Sequence, residues 1–272
     1  MIRSAITISL VPEARGGPFV YSDDLPSACA KAAALGFDAV EIFPRSPQEL
    51  NVKELAGLLK RHGLKVAAMG TGAGWLVHQL RLTDPDAAGR ARACAFVSGI
   101  LELAGSFNAP TIIGSMQGRA QDQTREQGFA WLQEALAELG PRAQALGVPL
   151  LLEPLNRYET NLVRSVTEGL ELLKPLPPRQ VKLLVDLFHA NIEEVSIADA
   201  LRLAGPDLGH VHFADSNRRA IGLGHTDLTP IVEALREITY EGYVSAEILP
   251  LPDSETAARQ TMTSFRQWFR PE

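Results

Sequence analysis

Four residues able to bind a metal ion each stand at the carboxyl end of a short apolar run in the second half of this chain. That repetition narrows the folds open to it. Pro149-Leu-Leu-Leu leads into Glu153, Val181-Lys-Leu-Leu-Val into Asp186, Gly209-His-Val into His212 and Tyr243-Val-Ser-Ala into Glu247. Successive members are 33, 26 and 35 residues apart. A strand, a helix and two short loops take roughly 30 residues, so the pattern reads as one ligand per βα unit. In a closed parallel barrel the strand ends ring one mouth, where residues distant in sequence converge.

The first half continues the same alternation. Strands are expected at Ile2–Leu10, Asp38–Phe43, Leu64–Met69 and Pro110–Ile113, separated by helix-prone stretches. Leu25–Leu35 is Ala-rich and stops at Gly36, a natural C-cap. Ser46-Pro-Gln-Glu49 reads as a capping box opening a helix to about His62, and Ser165-Val-Thr-Glu168 as a second box after the fifth strand. Further helices are expected from Asp84-Pro-Asp86 to Ala104, over Gln123–Leu146, from Thr229-Pro230, and over Arg259–Phe269. Val11–Pro26, Gly70–Gly74 and Gly114–Gly118 read as loops. Eight strands thus alternate with eight helices, and no linker divides them. Runs that stay apolar without alternating suit strands buried on both faces. A doubly wound sheet would carry a Gly-rich phosphate turn after the first strand, and Ile8-Ser-Leu-Val-Pro12 has none. The expectation is a single (β/α)8 TIM barrel spanning residues 1–272.

A net charge of −6 argues against a nucleic-acid partner, since phosphate backbones select clustered Lys and Arg. No apolar run approaches the ~18 residues of a membrane span, and Met1-Ile-Arg-Ser opens no signal peptide; a cytoplasmic protein is expected. Cys29 and Cys94 lie apart in helix-like stretches and read as buried, reduced thiols.

Two Glu, one Asp and one His offer hard oxygens and one imidazole. That mixture suits Mn²⁺, Mg²⁺ or Co²⁺, leaves Zn²⁺ and Fe²⁺ open, and is wrong for soft thiolate-bound metals. Two residues before each ligand, Leu151, Leu184, His210 and Ser245 should share the barrel interior, His210 as an interior histidine.

With these residues in view the chain resembles the xylose-isomerase-like sugar isomerases and epimerases, most closely their ketose 3-epimerase branch. The matching segments are Glu153-Pro-Leu-Asn-Arg-Tyr-Glu159, Asp186-Leu-Phe-His189, His212-Phe-Ala-Asp-Ser-Asn-Arg218 and Ser245-Ala-Glu247. The resemblance implies one divalent ion, often Mn²⁺, on Glu153, Asp186, His212 and Glu247. It implies substrate contacts from Glu159, His189 and Arg218, with Glu159 orienting the His189 ring. A sugar or polyol would bind through a vicinal ketone and hydroxyl and pass through a metal-bound enediolate, with Glu153 and Glu247 exchanging acid and base roles. Members of this group often assemble as dimers or tetramers. Trp75, His78 and Met116 are candidates for an apolar pocket wall, and Gly222-Leu-Gly224 for a bend beside the site. An inosose- or dehydroshikimate-type dehydratase on the same barrel is the main alternative. A DNA-repair endonuclease would need more His ligands and a basic face, and a non-catalytic barrel has no need of all four ligands.

Overall fold

The computed structural model describes every residue except 23, 122, 271 and 272. Residue 23, within the expected Val11–Pro26 loop, and the last two residues of the expected domain therefore lie outside the described residues. Eight parallel strands close a barrel in chain order: β1 (Arg3–Ser9), β2 (Ala39–Phe43), β3 (Lys65–Gly70), β4 (Thr111–Ile113), β5 (Leu150–Leu152), β6 (Val181–Asp186), β7 (Leu208–His212) and β8 (Tyr243–Ala246). Arg3 to Ile6 of β1 pair with Tyr243 to Ala246 of β8 and complete the ring.

The helices among the described residues are α1 (Leu25–Leu35), α2 (Val52–His62), α3 (Gly72–Leu76), α4 (Ala87–Gly105), α5 (Arg125–Ala145), α6 (Val166–Leu173), α7 (Leu187–Glu193), α8 (Ile197–Ala204), α9 (Leu228–Glu237) and α10 (Ser254–Phe269). They number ten rather than the expected eight, for two local reasons. The Gly70–Gly74 stretch is not a flexible loop. Gly70 ends β3, and α3 packs so closely that a Cβ on Gly74 would run into Met116 and Phe96. Between β6 and β7 the chain extends at Glu194, and Ser196 starts α8 by accepting from the Asp199 amide.

Caps also moved three helix starts. Asn51, not Ser46, caps α2, its Oδ1 accepting from the Lys53 and Glu54 amides at 3.0 and 3.2 Å. The Glu49 carboxylate instead takes the Arg45 amide. Asp227 rather than Thr229 caps α9, and Asp253 caps α10, which starts at Ser254, five residues before the expected Arg259. The second capping box holds in part: Ser165 Oγ accepts from the Glu168 amide, while Glu168 reaches back to Arg164.

Strand alternation sorts the side chains. Ile6, Ile8, Val40 and Ile42 face outward into the main apolar cluster under the helices, which also takes up Cys29 and Cys94 as free buried thiols. Inside the barrel, Phe43, Ala68, Ile112, Leu151 and Leu184 form an apolar cluster, and Ala5, Ala39 and Ala67 a smaller one. The β7–β8–β1–β2 side of the interior is polar, with His210, His212, Ser245, Thr7 and Glu41 all buried. A cavity of about 530 Å³ opens at the carboxyl ends of the strands, and a bowl of about 690 Å³ lies at the opposite end. Among the described residues no helix is long and apolar enough to cross a membrane.

Candidate metal centre and active site

Glu153, Asp186, His212 and Glu247 meet at the carboxyl-terminal mouth. Each is buried, and one potential ligand atom from each lies within 4.8 Å of the others. His212 Nδ1 is the hub, 3.3 Å from Glu153 Oε1, 3.6 Å from Asp186 Oδ2 and 3.6 Å from Glu247 Oε2. Local structure aims each group. Asp186 ends β6 and caps α7, so Oδ1 accepts from the Phe188 amide at 2.7 Å while Oδ2 faces the cluster. Glu153 is anchored through its backbone, its amide donating to Ile113 O and its carbonyl accepting from Gln117 Nε2. Gly114 leaves room for its side chain, since a Cβ there would sit 2.5 Å from Glu153 Oε2.

The donor set fits a divalent ion on an observation independent of residue type. Glu153 Oε1, Asp186 Oδ2 and His212 Nδ1 are buried and have no hydrogen-bond partner. Buried polar atoms without partners are rare and costly, and three sharing one point are explained by a cation among them.

Glu41, in the middle of β2, was not anticipated from the sequence. It is wholly buried, with Oε1 3.1 Å from His212 Nε2 and Oε2 2.7 Å from His210 Nε2. The available signal was a carboxylate at an inward position of a strand otherwise made of Ala, Val, Ile and Phe. His210 is the interior histidine that alternation predicted, with Glu41 as its partner.

Glu159, His189 and Arg218 also border the mouth cavity. Their mutual contacts differ from expectation in one respect. Glu159 Oε1 is 4.0 Å from His189 Nδ1, too far to orient the ring. Asn156 does so instead, because its Oδ1 accepts from the Tyr158 amide at 3.0 Å and its Nδ2 therefore points at His189 Nδ1, 2.7 Å away. Nδ1 is thus the acceptor, and Nε2–H is directed toward the cluster, 3.9 Å from Glu153 Oε1 and 3.8 Å from Asp186 Oδ2. Glu159 accepts from Asn156 Nδ2 and from Arg218 Nη1, both at 3.2 Å. Asn156→Asp keeps the oxygen for Tyr158 but replaces the donor with an acceptor, which should invert the His189 tautomer. The expected loss in kcat/KM is about 10- to 100-fold, the size of one or two misplaced hydrogen bonds, with the circular-dichroism spectrum unchanged.

Arg218 has a backbone φ of 59° and is held there at both ends, its amide on Asp215 O at 2.8 Å and its carbonyl on the Leu249 amide at 2.7 Å. Its guanidinium donates to Glu247 Oε2 at 2.8 Å and lies 4.9 Å from the Phe188 ring centre. The Gly222–Gly224 bend serves this loop, since Asp215 accepts from the amides of Ser216, Gly222, Gly224 and Thr226. The apolar wall opposite is built from Phe19, Phe43, Trp75, Leu76, Ile112 and Leu155. Of the three wall candidates only Trp75 takes part. Met116 is sealed in the core, and His78 is exposed with Nε2 3.2 Å from Arg45 O.

Electrostatics divides the carboxylates. Burial, reinforced by Glu247 and Asp186, pushes Glu153 up to about 8 despite the attraction of His212. Burial also raises Glu247, with His212 and Arg218 opposing. For Asp186 burial is outweighed by His189, His212 and Arg218, which hold it at about 2. Glu41 is likewise held at about 2, the two facing histidines overcoming burial. Burial lowers His189, which keeps its ring neutral. Burial opposes protonation of His212 too, but the carboxylates of Glu41 and Glu247, with those of Asp186 and Glu153 close to its Nδ1, raise it well above its usual value.

Comparison with known proteins finds relatives over most of the chain. A family model described as xylose isomerase-like TIM barrel matches residues 29–268. The chain is 34% identical over 222 residues to a D-psicose 3-epimerase of Agrobacterium fabrum, covering 80% of this chain and 76% of that one. It is 31% identical to an L-ribulose 3-epimerase of Methylomonas sp., covering 85% and 82%. A crystal structure of a D-psicose 3-epimerase in the presence of D-fructose superposes with a TM-score of 0.81 at 25% identity, over 99% of this chain and 100% of that one.

Proposed function

The chain belongs to the xylose isomerase-like TIM barrel family, and we propose that within it this protein is a divalent-metal-dependent sugar epimerase acting on a ketose or related polyol. The observation that carries this reading is the convergence of Glu153, Asp186, His212 and Glu247 with three buried ligand atoms lacking hydrogen-bond partners. Three carboxylates and one imidazole fit Mn²⁺, with Mg²⁺ and Co²⁺ as chemically close substitutes. Such an ion, when bound, polarises a ketone and its neighbouring hydroxyl and makes the adjacent C–H acidic.

The remaining work falls to the chain's own groups. Glu153 and Glu247 follow β5 and β8, so they approach a substrate in the mouth from different strands. One takes the proton from the carbon beside the carbonyl, and the other returns a proton to the opposite face. His189 presents its Nε2–H to a substrate oxygen, fixed by Asn156. Arg218, braced between Glu247 and Glu159, holds a second oxygen. The apolar wall from Phe19 to Leu155 keeps water from the exposed carbanionic face.

A dehydratase would use the same cluster but would also have to expel a β-hydroxyl. The relatives named above are epimerases, which favours epimerisation. The test is turnover of ketose pairs differing at C3, psicose with fructose and ribulose with xylulose, in D₂O. Interconversion with one solvent deuterium retained at the epimerised carbon is expected. Growth of an enone absorbance would instead indicate water loss and overturn the reading.

A further inference from the structure

We infer that Glu41 is a positioning residue for the metal centre, fixing His212 in the one tautomer that turns a bare nitrogen toward the ion. The inference rests on the metal reading of the cluster and adds to it a residue outside the four ligands.

Glu41 lies across the barrel from the histidines, 169 and 171 residues away in sequence, yet both of its oxygens are engaged. Thr7 beside it on β1 and Ala68 beside it on β3 leave the carboxylate open to β7. A fully buried carboxylate is costly unless partnered, so a barrel in need only of filling would place an apolar side chain here. An ionised carboxylate can only accept hydrogen bonds. The 3.1 Å contact from Oε1 to His212 Nε2 therefore puts the His212 proton on Nε2. The other ring nitrogen, Nδ1, is the atom that faces Glu153, Asp186 and Glu247 and has no hydrogen-bond partner. His210 bonds Oε2 at 2.7 Å and stops the carboxylate from turning away. Metal-binding histidines commonly rely on such a carboxylate on the far nitrogen, and losing it typically weakens metal binding 10- to 100-fold.

In Glu41→Gln the amide can offer its oxygen to only one imidazole and must direct its NH₂ at the other. Titration of chelator-treated protein with Mn²⁺, followed by calorimetry or by the free-ion electron paramagnetic resonance signal, should show a dissociation constant about 10- to 100-fold above that of the parent protein. Far-UV circular dichroism should be unchanged. An equal dissociation constant in folded Glu41→Gln overturns the inference while leaving the metal reading intact; failure of the parent protein to bind Mn²⁺ overturns both. If Glu41→Gln does not fold, the parent protein decides. Its ¹⁵N-histidine NMR spectrum, loaded with diamagnetic Mg²⁺, should show His212 protonated at Nε2 and bare at Nδ1. The reverse tautomer overturns the assignment.

Discussion

Glu153→Gln and Glu247→Gln should each lower kcat by about 10²- to 10⁴-fold, the usual contribution of a positioned general acid or base. Mn²⁺ should still bind to both, because the amide oxygen remains a weak ligand and three donors are untouched. A two-base arrangement makes a sharper statement than loss of activity. If Glu153 serves one face of the reacting carbon and Glu247 the other, each variant keeps the base for one epimer alone. That epimer should still exchange its C–H for solvent deuterium while net epimerisation stops, and the preferred epimer should switch between the two variants. Turnover retained in both variants would refute the acid–base assignment, whatever the metal affinity.

Stripping the ion should abolish turnover, and its rebinding should depend steeply on pH. In the stripped protein Glu153 sits near 8 and His212 well above its usual value, so both carry protons at neutral pH. A ligand must shed its proton to bind metal, so protons should leave as the ion binds at neutral pH. Affinity should therefore climb between pH 6 and 8, seen by calorimetry in two buffers of different ionisation enthalpy. Stability of the stripped protein should move the opposite way. A group whose folded pKa is raised stabilises the fold at low pH and loses that contribution as pH rises through the folded value. Both groups act in this sense, while Asp186 and Glu41, held at about 2, are already ionised throughout. The melting temperature of chelator-treated protein should fall from pH 6 to 8.5, and the gap to the loaded protein should widen. A dissociation constant flat across that range would show that neither group is protonated beforehand.

The four clustered residues, Glu153, Asp186, His212 and Glu247, were readable in the sequence because a strand end is a position of known direction. An apolar run fixes the strand, and its last residue must face the mouth or the adjoining helix. Glu41 escaped that logic by standing in mid-strand, where the inward alternation of Ala39, Glu41 and Phe43 points to the interior but not to a partner on β7. Asn156 escaped for another reason. It lies inside the segment that carried the family resemblance, yet whether it or Glu159 reaches His189 depends on the path of the loop after β5. Helix starts shifted where two caps competed, as at Ser46 and Asn51, and the winner is set by tertiary placement. The glycines at 70–74 were read as freedom and turned out to be closeness, because Gly74 admits Met116 where any larger residue would not fit.

The mouth is split between the two halves of the ring. The four clustered side chains come from the chain after β4, and the greasy wall, Leu155 apart, comes from the chain before β5. Reaction and selectivity are therefore separately adjustable. Reshaping Phe19, Trp75 or Leu76 can change which sugar is admitted without disturbing the proton-transfer apparatus, so a redesign for new substrates should begin in the first hundred residues.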